Sequence, residues 1–396
     1  MTMRGSVSLV GVRLQVSLMT VSMLLLLTIS QTTLAEEKDA TKIAPSASKE
    51  SWVNISEEFF KRIGADAEAF PTYRRSCLGL MVTPIGDIVI LAASQGVCVS
   101  RDQGANWSVV ENNKLKGRCN DGFSFSLAYP YDGRMMFVCY DGAGGISLDG
   151  AKTWRPFAQS IRGLEIADVD WGDPDPKTLF GWLHEPYFTV LSVDGGRSWR
   201  QLYKDAETGK KPVFDSIGVI DGKTLIRQHV RPRDGGIQQK GGIELSTDAG
   251  QTWNRVADYT VRGFRPVHYG KNTYLLTTAG VVVTTDGKDW RLCGEGAESA
   301  IYGPYFGENE LEFVVVTPKS FLKTDDGGKT WKKLASFFAP PGGFNPSNWR
   351  FCYFGWDPRH KLLYAAALGA SVYRLQVGDG EPAESHANGQ PATQAR

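Results

Sequence analysis

Arginine recurs at one point in the rhythm of this sequence. Arg74 and Arg75, Arg118, Arg162, Arg262 and Arg350 each stand just before an apolar run that reads as a strand. A guanidinium group binds planar anions through paired N–H bonds, so several converging arginines would suit a carboxylate, phosphate or sulfate. The competing reading is that each pairs with a neighbouring carboxylate or is solvated. Two loops add further polar groups. Gln228 to Gly236 carries His229, Arg231 and Arg233, and it is long for its place in the pattern. Unusually long loops on a rigid scaffold are common places for function. His184-Glu185-Pro186-Tyr187, with Trp182 nearby, brings an acid together with rings able to stack on a sugar. An ordinary exposed loop is the alternative there.

Other chemistries find no support. His184, His229, His268, His360 and His386 are far apart, and no pair has metal-ligand spacing. C-x-x-C, H-E-x-x-H and G-x-S-x-G are absent. Gly327-Gly328-Lys329-Thr330 lacks the earlier glycine of a phosphate loop, and Asp173-Pro174-Asp175 reads as a turn. Neither a metal nor a cofactor is expected. A net charge of +1 argues against whole-protein attraction to nucleic acid or anionic membrane.

The elements that must position these residues come from a repeat. Its copies run from Ser100 to Trp107, Ser147 to Trp154, Ser192 to Trp199, Ser246 to Trp253, Thr284 to Trp290 and Thr324 to Trp331. Each carries an aspartate two residues in: Asp102, Asp149, Asp194, Asp248, Asp286 and Asp326. The fifth copy is one residue short, and the second has Ala151 where the others have glycine. Asp bonds backbone N–H groups in a turn, Gly supplies positive φ, and Trp covers the apolar interior beneath. These residues read as turn staples, not as catalysts.

The pattern resembles the Asp-box, or BNR repeat, of sialidases, sortilin-type receptors, xyloglucan-cleaving hydrolases and photosystem II assembly factors. The resemblance covers roughly residues 50 to 377. It implies a β-propeller whose boxes lie on one face and whose ligands bind on the other. Sialidases also carry an arginine triad, a Tyr–Glu pair, an acid/base Asp and a Phe/Tyr-Arg-Ile/Leu-Pro motif. Phe264-Arg265-Pro266 is the nearest string here, and it lacks the intervening residue. Xyloglucan hydrolases use two propeller domains, and this chain has length for one. No carboxylate pair for glycoside hydrolysis can be assigned.

Apolar runs around each box give three strands, a box and a fourth strand, which makes one four-stranded blade. Blade 1 is Leu78–Val82, Asp87–Ala92 and Val97–Ser100; blade 2 is Phe123–Ala128, Arg134–Cys139 and Gly145–Ser147. A seventh set, Phe351–Phe354, Lys361–Ala366 and Ser371–Gln376, has no box and no fourth strand. Trp52-Val53-Asn54-Ile55 repeats the Trp-led strand with nothing before it. The fold expected is therefore an all-β, seven-bladed propeller closed by an N-terminal strand on the last blade, in preference to six blades with embellished ends. An apolar residue sits three positions after each Trp: Val110, Phe157, Leu202, Val256, Cys293 and Leu334.

Outside the repeats, residues 1–35 read as a signal peptide. Arg4 and Arg13 flank the apolar run Val16 to Ile29, and Thr33-Leu34-Ala35 fits a cleavage site. Retention as an anchor is the alternative. Residues 36–50 read as a flexible linker, 51–377 as the propeller and 378–396 as a disordered tail. A periplasmic or secreted monomer is expected. Six cysteines then permit disulfides, with Cys77–Cys352 the first pairing to consider, while Cys98 and Cys293 stand at apolar positions and read equally well as free thiols. The expected function is recognition of a protein, peptide or glycan, with a sialidase-like glycosidase acting on an acidic sugar as the alternative.

Overall fold

Runs such as Cys-Leu-Gly-Leu-Met-Val and Ile-Val-Ile-Leu-Ala are apolar at nearly every position, so the strands they form must be covered on both faces. Stacking blades around an axis achieves this. The computed structural model describes residues 50–64, 77–92, 95–110, 127–128, 131–138, 144–157, 161, 163–183, 188–202, 216–228, 242–263, 265–341 and 352–382. Their strands form seven antiparallel sheets, joined in chain order from the innermost strand outwards except in the last blade, whose outermost strand comes from the N-terminal side. In blade 1 these are Cys77–Val82, Ile88–Ala92, Gly96–Ser100 and Ser108–Val109, and every residue of the first three is buried.

Successive side chains face opposite neighbours. Leu78, Met81, Val89 and Val99 of blade 1 pack with Met135 and Phe137 of blade 2. Leu80, Val82, Ile90 and Cys98 pack instead with Tyr353, Leu362 and Tyr364 of blade 7. Equivalent apolar layers separate the remaining successive blades, so the ring is closed by side chains as well as by strands.

Closure follows the expected route. Val53–Asn54 pairs antiparallel with Tyr373–Gln376, the third strand of blade 7, placing Val53 opposite Arg374. Ring closure removes the sheet edge that would otherwise remain open. Two details extend the sequence reading. The chain leaves this strand through a short helix, Glu57–Ile63, whose Phe59 and Phe60 are buried. At the far end, Glu381–Pro382 pairs with Lys332–Ser336 as a fifth strand of blade 6, inside the stretch expected to be a tail. The signal-peptide residues, the linker before Glu50 and residues 383–396 lie outside the described residues.

The cysteine pairing is corrected. Cys77 and Cys352 are free and buried, as are Cys98 and Cys293. Cys77 faces blade 7 and Cys352 faces blade 6, so a whole sheet lies between them. Equivalent positions in successive blades point the same way around the ring and do not meet. Cys119 and Cys139 lie outside the described residues.

Candidate functional site

The two ends of the ring are built differently, and the boxes explain one of them. In each box the Ser or Thr hydroxyl donates to its Asp, at 2.8 to 3.0 Å, for example Ser192 to Asp194 and Thr284 to Asp286. The same oxygen accepts the backbone N–H of the following Gly or Ala, as Gly104 to Ser100 and Ala151 to Ser147. The Asp then accepts the N–H of the residue before the Trp and, in four boxes, its hydroxyl, as from Ser198 at 2.9 and 2.6 Å; in the first box the Asn106 amide takes the hydroxyl's place. Hydrogen bonds to the charged form lower a carboxyl pKa. Bonds from the Ser198 and Thr252 hydroxyls hold Asp194 and Asp248 down to about 2. Asp102, Asp149, Asp286 and Asp326 are also lowered; for Asp149 and Asp326 burial opposes the shift and the hydrogen bonds outweigh it. With their carboxylates engaged inside the loop, through both oxygens in every box but that of Asp286, these acids are staples, as their sequence context implied.

At the box end, aromatic side chains from different blades meet. Tyr131, from the first turn of blade 2, is buried across the ring against Tyr269 and Phe306 of blades 5 and 6. Its φ of 61° is costly for a bulky residue and is held by those ring contacts. Asp168, on the innermost strand of blade 3, Leu164–Val169, reaches two other blades. Its Oδ2 accepts the Val219 N–H of blade 4 at 2.8 Å and lies 2.9 Å from His268 Nε2 of blade 5. His268 Nδ1 faces the Thr273 hydroxyl at 3.3 Å, which suits the tautomer carrying its proton on Nε2. Arg265, pushed down to about 10 by burial against the pull of Asp168, reaches towards the Ala167 carbonyl. An Asp–His–Thr array suggests acid–base chemistry, but Asp168 is 1% and His268 7% exposed. The array joins three blades and is buried among them.

Of the residues that the sequence nominated for ligand binding, Arg262 is described. Arg262 lies in the connection from blade 4 to blade 5, and its guanidinium donates to the Ala300 carbonyl in the next connection. It is thus engaged in joining two loops. Arg74, Arg75, Arg118, Arg162, His184, Glu185, Tyr187, His229, Arg231, Arg233 and Arg350 lie outside the described residues. The strands that flank residues 229–241 are described. Arg227 and Glu244 sit opposite each other there, form a buried ion pair, and Arg227 lies 4.0 Å from the Trp253 ring centre. This charged, stacked pair gives the long loop a rigid base. Sequence reading missed it, together with Asp168, His268 and Tyr131. A carboxylate inside Leu-Glu-Ile-Ala-Asp-Val was the available signal for Asp168. Among the described residues no group of three or more His, Cys, Asp or Glu could hold a metal ion. No helix among them is long and apolar enough to cross a membrane.

The class is thus a seven-bladed β-propeller. No family model and no curated protein matches the chain. Among solved structures it is similar to YCF48 from Cyanidioschyzon merolae, at 14% identity and a TM-score of 0.43, over 82% of this chain and 98% of that one. A GH74 xyloglucanase from Xanthomonas campestris is similar at 14% identity and 0.36, over 79% of this chain and 58% of that one. The extracellular domain of BT4673 from B. thetaiotaomicron is similar at 8% identity and 0.46, over 82% and 40%. None of these similarities assigns a role to a residue of this chain.

Proposed function

We propose that this chain is an exported binding propeller. It presents the loops at the end away from the boxes to a protein, peptide or glycan, and carries out no reaction on it. The contrast between the two ends supports this reading. Turns at the box end use their polar groups internally: Asp132 holds Arg134, Asp221 holds Thr224, and Asp357 holds the Arg359 N–H. At the other end, Val109 to Leu127, Gln201 to Ile217, Gln228 to Ile243 and Ser336 to Cys352 are bridged by segments longer than any turn at the box end. Loops of that kind on a rigid scaffold suit recognition. Arg118, Arg231, Arg233 and Arg350 fall in them, and Arg74, Arg75 and Arg162 fall in other stretches that lead into innermost strands, which favours a partner with carboxylate, phosphate or sulfate groups.

The test is a binding screen of the purified full chain against arrayed acidic peptides and acidic glycans, repeated with an Arg231→Ala/Arg233→Ala variant. A ligand that binds the parent and weakens about tenfold or more in the variant supports the reading. Turnover of a chromogenic sialoside by the parent would instead favour the glycosidase. Export is tested separately by the mass of the mature protein, which loses residues 1–35 if the signal is cleaved.

A further inference from the structure

The outer edge of blade 6 differs from the outer edges of its neighbours. Its last strand, Lys332–Ser336, has five residues, against two for the last strands of blades 1, 2, 3 and 5. A longer edge exposes more unpaired N–H and C=O groups to another strand. Two separate pieces of the chain cover it. Glu381–Pro382 pairs antiparallel, with Glu381 opposite Lys333 and Pro382 opposite Lys332. From the other end of the chain, the Glu50 carboxylate accepts the Ser336 N–H at 2.9 and 3.0 Å.

Charge matches across this seam. The acceptor side carries Lys332 and Lys333, with Lys323 on the next strand; Asp325 is shared by Lys323 and Lys332 and Glu312 also holds Lys323, which leaves the lysines in excess. The covering pieces carry Glu50, Asp379 and Glu381. Asp379 pairs with Lys361 at 2.5 Å, and that contact holds its carboxyl below the usual range, with Lys323 and Lys332 adding to the effect. The internal cover is also weak by construction. It pairs over two residues only and includes Pro382, which has no N–H to give. Its approach depends on Gly380, whose φ is +83° and where a Cβ would lie 3.0 Å from the Lys333 carbonyl oxygen.

We propose that this edge is a strand-acceptor surface for an extended acidic peptide of a partner protein, and that residues 379–382 are its built-in competitor. The mode is addition of a strand to an exposed sheet edge, where main-chain bonds give affinity and flanking charge gives selectivity. A partner segment longer than two residues and free of proline gains ladder bonds that the internal strand cannot make. It must outcompete a tethered occupant, whose effective concentration is on the order of millimolar.

The experiment uses the full chain and two blocked heptapeptides, Thr-Glu-Val-Glu-Thr-Glu-Val and its lysine counterpart Thr-Lys-Val-Lys-Thr-Lys-Val. Gly380→Val disfavours the internal strand, and Asp379→Lys/Glu381→Lys does so by a separate route. Hydrogen exchange is read at Lys332 to Ser336. The glutamate peptide is expected to slow exchange there about tenfold or more in both variants, and much less in the parent. The lysine peptide is expected to leave it unchanged, and Lys332→Glu/Lys333→Glu placed in the Gly380→Val background is expected to abolish the protection. Equal protection by both peptides, or none in either variant, would overturn the proposal. So would peptide-independent protection that rises with protein concentration alongside a dimer in sedimentation, because the occupant would then be a second copy.

Discussion

Ile55 packs so closely on Gly104 that a Cβ at Gly104 would lie 2.4 Å from Ile55 Cδ1. Ile55 stands three residues after Trp52, and Gly104 is the box glycine of blade 1. The same contact recurs around the ring: Phe157 against Gly196, Leu202 against Gly250, and the Cys293 carbonyl against Gly328. These four boxes therefore receive the end of the preceding blade, whereas Gly287 faces Leu245, Ile220 and Ile226. At the closure, Trp107 Nε1 also donates to the Ile55 carbonyl at 2.9 Å.

Replacing either partner should weaken closure. Ile55→Ala is expected to cost about 2 kcal/mol, at the lower end for such changes because Ile55 is only half-buried. Gly104→Ala should cost about 1–3 kcal/mol from conformation alone, since its φ is +91°, with the clash adding to that. Ala151 is a natural control. It holds the same box position at a φ of 62°, in the apolar layer that includes Val110. Denaturant unfolding of both variants measures the effect, and unchanged midpoints would refute the role given to this contact.

The fold was legible because its signal is repeated. Six boxes set the phase, and the Trp-led strand at Val53 completed the seventh blade where the pattern required it. What was not legible depends on which way a side chain points around the ring. Cys77 and Cys352 occupy equivalent places in neighbouring blades, which suggests proximity in sequence terms but separates them by a sheet. The contacts of Asp168 with Val219 and His268 span 51 and 100 residues, about one and two repeats along the innermost strands, and the repeat period does not show that these side chains turn towards one another. Of the site expected at the opposite end, only Arg262 falls among the described residues, and its partner is a carbonyl in the adjacent loop.

Acid should weaken the boxes. Folded Asp194, Asp248 and Asp326 titrate near 2, below the roughly 3.9 of an unfolded Asp. The unfolded chain then takes up protons first as pH falls, so their stabilisation is present above about pH 4 and is lost towards pH 2. Asp87 and Asp170, raised by burial, act with the opposite sign. The combined Asp194→Asn/Asp248→Asn/Asp326→Asn variant should therefore lose less Tm between pH 4 and pH 2 than the parent. An identical slope in both would remove the boxes as its source.

The buried thiols should be slow to react. Burial pushes Cys77 and Cys98 up to about 12, and Cys293 and Cys352 up to about 11. Thiolate is the reactive form, so at neutral pH each is both protonated and covered. Peptide-mapped alkylation of the native protein should leave these four unlabelled until denaturant is added. A cross-linked Cys77–Cys352 peptide in the non-reduced digest would contradict the free thiols.

Asp168 should be worth more to the ring than any single box aspartate. The innermost strands of blades 4 and 5, Ile217–Val219 and Val267–Tyr269, have three residues each, against six in blades 1, 3 and 7. Short inner strands offer few ladder bonds, and the Asp168 carboxylate ties both of them to blade 3. Asp168→Ala leaves the Val219 N–H and His268 Nε2 without this acceptor in a buried place, at an expected cost of about 3–5 kcal/mol. Asp168→Asn keeps an oxygen in reach of Val219 and should cost about 1–3 kcal/mol. Urea unfolding ranks the two variants, and hydrogen exchange at the Val219 amide should speed up in Asp168→Ala well before global unfolding. If Asp168→Ala unfolds at the parent's midpoint with Val219 equally protected, the three blades are held by their apolar layers alone.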